Sequence, residues 1–278
     1  RDRDSVDDVM SGVDYVFHAA ALKQVPTCEF FPMQATQTNV VGSQNIINSA
    51  ISHGVSKVIS LSTDKAVYPV NALGITKALM EKVVQSTSRK LSQGQTILSL
   101  VRYGNVLFSR GSVIPLFLKQ IREKKPITVT EYEMTRFLLP LKEAIQLVGF
   151  ALQNGRQGDI FVCNAPSANI GDLAQALKNI FSSDSEIKIM GIRHGEKLHE
   201  TLVSKEELLR SEDMGGYLRL SMDDRDLNYK KYLSEGDKKV IQTEDYTSQN
   251  TTRLTVPKIE EMLLAQPEII AELKNQEL

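Results

Sequence analysis

Between residues 14 and 104 apolar, β-branched runs take turns with helical stretches, and that alternation narrows the possible folds more than any other feature. "DYVFHAA" (14–20) reads as a short buried strand ending in small residues, and "FPMQATQTNVVGSQNIINSAISHG" (31–54) as a helix stopped by Gly54. "KVISLS" (57–62) is a β-branched strand. Residues 71–92 read as a long helix with Ile75, Leu79 and Val83 at i, i+4 and i+8, and "TILSLVRYG" (96–104) as a further strand. A βαβα order calls for a parallel sheet with right-handed crossovers, an α/β fold. Ligands of such sheets bind outside the carboxyl ends of the strands. Three polar clusters stand at those ends: His18–Ala21, Ser62–Lys65 and Tyr103–Asn105.

After residue 110 the alternation becomes irregular. "VIPLFLKQIREKK" (113–125), "LKEAIQLVGFALQNG" (141–155) and "IGDLAQALKNIFS" (170–182) look helical, and "GDIFVCN" (158–164) looks like a strand. Residues 186–278 hold short elements and polar loops. The expected organisation is a dinucleotide-binding domain over 1–110, with return segments in 140–165, and a smaller substrate-binding lobe over 111–278.

The charges nearly cancel, with 33 lysines and arginines against 34 aspartates and glutamates. That argues against a nucleic-acid or anionic-membrane binder, which carries a basic excess. Cys28 and Cys163 have neither CxxC spacing nor a histidine cluster, so no disulfide or metal site is expected and a reducing cytoplasm is the default. No apolar run approaches the ~20 residues of a membrane span. A dinucleotide sheet also needs a glycine-rich turn after its first strand, where backbone N–H groups meet the pyrophosphate. "HGEKLHE" and "SRGSV" do not qualify. Either no dinucleotide binds, or the first strands precede Arg1.

Seven stretches carry a resemblance: "FHAAALKQVP" (17–26), "TNVVGSQNII" (38–47), "LSTDKAVYPVNALGITKA" (61–78), "VRYGNVLFSRGSVIP" (101–115), "MTRF" (134–137), "RHGEKLHETL" (193–202) and "DDRDLNYKKY" (223–232). Together, and in this order, they resemble the extended short-chain dehydrogenases/reductases. Within that superfamily they are most similar to the inverting UDP-N-acetylglucosamine 4,6-dehydratases of capsule and O-antigen biosynthesis. "RDRDSV" resembles the stretch after the third strand of that fold. The resemblance therefore implies a Rossmann-like sheet whose first strands and glycine-rich loop are missing, in an N-terminally truncated member.

It also implies site residues. Thr63 bonds the sugar 4-hydroxyl, and Asp64 and Lys65 form the acid–base pair. Lys77 holds the nicotinamide ribose. Leu73 stands where the superfamily's Tyr-x-x-x-Lys has its tyrosine, and it cannot transfer a proton. Tyr68 is the nearest other phenol. The cofactor, NADP or NAD, is tightly bound and regenerated, and is expected against His18, Ala19, Ala20, Ala21, Asn39, Leu61, Ser62, Lys77 and Tyr103. His18 reads equally well as a satisfied core histidine. The UDP-amino-sugar substrate is expected at Lys23, Asn105, Ser112, Arg136, Arg193 and Glu196, with Glu200 in a ribose or loop-ordering role. Arginine suits a diphosphate because its guanidinium is bidentate and always charged. Phe108 replaces a usual glycine and is expected to narrow the pocket. A homo-oligomer, dimer to hexamer, is implied.

The implied reaction is a 4,6-dehydration with inversion at C5, with further epimerisation at C3 compatible with it. A UDP-sugar 4-epimerase shares the fold and the cofactor. It usually keeps the tyrosine and needs no C5 base. A non-catalytic nucleotide-binding relative is the third reading; loss of the tyrosine favours it, and retention of Thr63, Asp64, Lys65 and Lys77 opposes it.

Overall fold

The computed structural model describes residues 1–222 and 244–276. The "DDRDLNYKKY" stretch lies outside the described residues. The chain forms two compact units. The first gathers 1–102, 146–164, 202–222 and 244–246; the second gathers 103–145, 165–201 and 247–276. Residues 202–222 thus join the first unit, although the sequence reading placed them in the lobe.

The first unit is built on a six-stranded sheet. Its order is β1 (Tyr15–His18), β2 (Lys57–Thr63), β3 (Ile97–Tyr103), then Ile160–Cys163, Tyr217–Leu220 and Ser211–Asp213. β1 and β2 pair in parallel with Tyr15 opposite Lys57, and β3 pairs in parallel with the Ile160–Cys163 strand. The last two strands are antiparallel additions, with Leu220 opposite Ile160. The sheet is therefore mixed, α/β and Rossmann-like. Val58, Ile59, Leu98, Leu100 and Val101 are buried, as strands covered on both faces require.

The expected helix over 31–54 is three pieces: Pro32–Thr36, a π-helical turn Gln37–Val41 and Gly42–Ser52. Gly54 follows at φ +69°, a conformation that costs glycine little. The helix expected over 71–92 runs Ala72–Ser88, and Asn71 caps it by accepting from Gly74 N at 2.8 Å. Its buried face is not the Ile75–Leu79–Val83 stripe. Ile75 and Leu79 are 54% and 49% exposed, whereas Leu73, Lys77, Met80, Glu81 and Val84 are buried. Apolar spacing points to the wrong face here because two charged residues occupy the sheet-facing side.

The second unit holds a three-stranded sheet of Asn105–Val106, Thr135–Leu139 and Ser167–Asn169, and a parallel pair of Ile127–Val129 with Ile187–Ile189. Its core includes Ile114, Phe117, Ile127, Leu173, Leu177 and Ile259. The Val113–Arg122 and Ile170–Ile180 helices fall within a few residues of the sequence reading. No described helix is long and apolar enough to cross a membrane.

Candidate active site

β2 ends at Thr63, and Asp64–Ala66 follow as one 3-10 turn. The Thr63 hydroxyl accepts from Lys65 N at 3.4 Å and donates to Asp64 Oδ1 at 2.7 Å. Lys65 Nζ donates to the same oxygen at 3.0 Å. Asp64 is fully buried, and its Oδ2 has no hydrogen-bond partner. A buried polar atom left unpaired costs about 1–3 kcal/mol, so native structures hold few of them. One carboxylate oxygen is fixed by its neighbours and the other is ready to accept a donor. The Lys65 side chain stays 22% exposed.

The Ala72–Ser88 helix packs its first turn on this 3-10 turn. A Cβ on Gly74 would fall well inside van der Waals contact with the Lys65 carbonyl oxygen, and only glycine lets the two approach this closely. Leu73 is 4% exposed and packs with Cys28 and Ala35. It is a core residue. Lys77, one turn on, is buried and donates from Nζ to Leu61 O at 2.7 Å. Burial brings its ammonium pKa down to about 8, with Glu81 opposing the shift. Tyr68 lies in the left-handed region at φ +46°, and its hydroxyl sits 3.2 Å from both Glu206 Oε2 and Asp245 Oδ1. Desolvation and, among its neighbours, the Asp245 charge push this phenol up to about 12, away from the range of a working base.

His18 closes β1 and is buried, with Nε2 at 2.7 Å from Ser43 Oγ. Ser43 gives its one hydroxyl proton to Asn39 O at 2.7 Å, so His18 must be the donor, protonated on Nε2. Asn39, in the π-helical turn, is buried. Its side chain accepts from Leu22 N at 2.8 Å and donates to Leu22 O and Thr76 Oγ1, both at 3.0 Å. It therefore orders the segment after β1, in which Ala19, Ala20 and Lys23 are exposed and Ala21 is half-buried. Desolvation, then the Lys77 charge, lowers the His18 pKa to about 4. Above pH 6.5 the unfolded chain binds no extra proton and the full stability is present; as pH falls toward 4 the unfolded state is favoured. We expect about 3 kcal/mol to be lost across that window, and His18→Gln to flatten this part of a plot of denaturation midpoint against pH.

The residues expected to hold the substrate, apart from Lys23, lie in the second unit. Asn105 Oδ1, Ser112 Oγ and Glu196 Oε2 are buried without hydrogen-bond partners. Ser112 occupies the N-cap of the Val113–Arg122 helix, yet its side chain makes no capping bond. Arg136 donates to Thr135 O at 2.7 Å and lies 3.8 Å from Glu200. Arg193 is exposed, bonds Thr130 Oγ1 and pairs with Glu196, both at 3.2 Å. Tyr103, the last residue of β3, has its phenol pKa raised by burial. Phe108 adopts φ +58°, which explains why glycine suits the position, and its ring packs against the core cluster.

Sequence reasoning missed Glu81 and Arg102, both buried beneath the Thr63–Lys65 turn. The available signal was an arginine inside the otherwise apolar "TILSLVRYG" strand.

The family model described as "Polysaccharide biosynthesis protein" matches residues 1–222, and its C-terminal companion matches residues 223–269. The chain belongs to the polysaccharide biosynthesis protein family. Similar to this chain are the Rickettsia felis and Rickettsia prowazekii proteins named UDP-glucose 4-epimerase. Each is 56% identical over 275 residues, 99% of this chain and 81% of the relative. The X-ray structure of Pen from Bacillus thuringiensis superposes with a TM-score of 0.85 at 32% identity, covering 95% of this chain and 79% of that one. A dTDP-glucose 4,6-dehydratase from Streptomyces venezuelae, solved with NAD, shares the fold at TM-score 0.65 and 21% identity over 71% of this chain and 66% of that one.

Proposed function

We propose that this family member catalyses C5-inverting 4,6-dehydration of UDP-N-acetylglucosamine with a nicotinamide dinucleotide, NADP or NAD. The observation that carries the reading is Asp64, buried, held through one oxygen by Thr63 and Lys65, with the other oxygen unpartnered. Leu73, packed in the core, leaves the acid–base work to this turn.

Buried Lys77, on the Ala72–Ser88 helix and bonded to Leu61 O of β2, and the small Ala19–Ala21 run after β1 fit the nicotinamide–ribose end of such a cofactor. A cofactor held there would supply the hydride chemistry, as acceptor from sugar C4 and donor to C6. Thr63 orients the C4 hydroxyl. The ketone at C4 acidifies the C5 proton, which the base at Lys65 removes. The Asp64 carboxylate takes the C4 hydroxyl proton on its unpartnered oxygen as the hydride leaves, then gives that proton to the C6 hydroxyl, which departs as water. C5 then takes a solvent proton on the opposite face. Lys65, which acts on C5 as the neutral amine, releases to solvent the proton it removed. The second unit holds the UDP: Arg136 and Arg193 supply charge for the diphosphate, and Asn105, Ser112 and Glu196 supply the unpaired polar atoms noted above.

A second reading, 4-epimerisation of a UDP-sugar, is favoured by the name of the relatives at 56% identity. Mass spectrometry of UDP-N-acetylglucosamine incubated with the protein and NADP(+) separates the two. Loss of one water is expected. An unchanged mass with a C4 epimer appearing would replace dehydration with epimerisation.

A further inference from the structure

Beneath the Thr63–Asp64–Lys65 turn, the first unit buries a charge cluster that the reaction above does not use. Arg102 on β3 is 2% exposed. It spends all five of its N–H donors inside the protein. Two go to Glu81, at 3.0 and 2.7 Å, and two to Glu207, at 2.9 and 3.0 Å. The fifth goes to Leu202 O at 2.9 Å. Burial alone would favour neutral guanidine, but the two carboxylates outweigh it and the Arg102 pKa is raised, so it stays charged.

Glu81 faces both ways. While Arg102 grips both its oxygens, its Oε1 also accepts the Ser62 hydroxyl at 2.5 Å. Four residues earlier on the same helix face, Lys77 donates to Leu61 O at 2.7 Å. Successive turns of one helix therefore hold successive residues of β2, immediately before Thr63. Buried ion pairs are weak stabilisers compared with apolar side chains of similar volume. A cluster of this kind serves geometry better than stability.

We propose that Glu81, locked by Arg102, is a positioning residue: it fixes Ser62 and thereby holds the Thr63–Asp64–Lys65 turn in place against Lys77. The catalytic part of this inference rests on the acid–base reading of that turn.

The test is hydrogen exchange on Glu81→Ala and Ser62→Ala, read by mass spectrometry of peptides. Ser62→Ala removes one hydroxyl and leaves the Arg102 network whole, so it stays informative if the Glu81 variant folds poorly. Both variants should exchange about 10-fold faster across residues 61–66 than the wild type, with the peptides of β1 and of Ile160–Cys163 unchanged. The double variant should be no faster there than Glu81→Ala alone, because both remove the same Ser62–Glu81 bond. Uniform acceleration over the sheet, or no change at 61–66, overturns the proposal. This readout needs no substrate, so it stands whether the enzyme dehydrates or epimerises. With whichever sugar nucleotide the wild type converts, kcat should fall about 10- to 100-fold at unchanged KM. Faster local exchange with kcat intact would overturn the catalytic part alone; the acid–base role of the turn falls only if Asp64→Asn keeps its turnover.

Discussion

Asp64→Asn should lower kcat by about 1,000-fold, within the range a positioned acid or base supplies, while UDP-sugar binding changes less than twofold. Asparagine keeps the shape of the side chain. Its Oδ1 can still accept from Thr63 Oγ1 and Lys65 Nζ, as the native carboxylate does at 2.7 and 3.0 Å. What it loses is the second oxygen, which in the native protein is buried and unpartnered, and with it any capacity to pass a proton. Stability should move in the opposite direction from activity, or not at all. The substitution removes a buried charge, and Lys65, 22% exposed, can be hydrated once its partner is neutral. The expected pattern is a dead enzyme with an intact melt, the signature of a group kept for chemistry at some expense in stability. Isothermal titration with UDP-N-acetylglucosamine, turnover and thermal denaturation of the same preparation give all three numbers. Turnover within threefold of the wild type would remove Asp64 from the mechanism, whereas binding without turnover in the wild type itself would revive the reading of a nucleotide binder.

Whatever depends on neighbours in sequence was legible from the residues. The strands around 15, 58 and 98 and the polar groups at their ends follow from local patterning, and the Thr63–Lys65 turn lies where a parallel sheet places its ligands. Long-range pairing was not legible. The Tyr217–Leu220 strand joins Ile160–Cys163 antiparallel, a contact across more than fifty residues that no local pattern encodes. Glu207 lies 105 residues from Arg102. The π-helical turn at Gln37–Val41 reads as plain helix because one extra residue per turn leaves the composition unchanged. The Ala72–Ser88 helix misled for a different reason. Pattern reading assumes that apolar means buried, and at this helix Lys77 and Glu81 hold the strand while Ile75 and Leu79 face outward. Local rules fail where a helix buries charged side chains against a strand.

Gly74→Ala should be the most damaging substitution of a single methyl group in the first unit. Alanine is favoured over glycine inside a helix by about 1 kcal/mol, so propensity alone predicts a gain. At Gly74 the new Cβ would be driven into the Lys65 carbonyl oxygen and would meet Pro69 Cβ at 3.0 Å. Neither is the loose end of a flexible side chain. Either the helix start or the 3-10 turn must shift, and the turn carries Asp64 and Lys65. Overpacking of this kind costs about 1–3 kcal/mol, and a displacement near 1 Å at reacting groups costs about 100-fold in rate. We therefore expect a lower melting temperature together with a fall of about 100-fold in kcat, in a variant that touches no reacting atom. Gly149→Ala is the matched control. Gly149 lies inside the Leu141–Asn154 helix with nothing within 4 Å of the added methyl, so the same substitution should raise stability by up to about 1 kcal/mol and leave kcat alone. If both variants gain stability, the Lys65 carbonyl yields freely and the turn is not held by the helix. Opposite signs at the two glycines would show that the first turn of the Ala72–Ser88 helix is fitted to the Asp64–Lys65 turn.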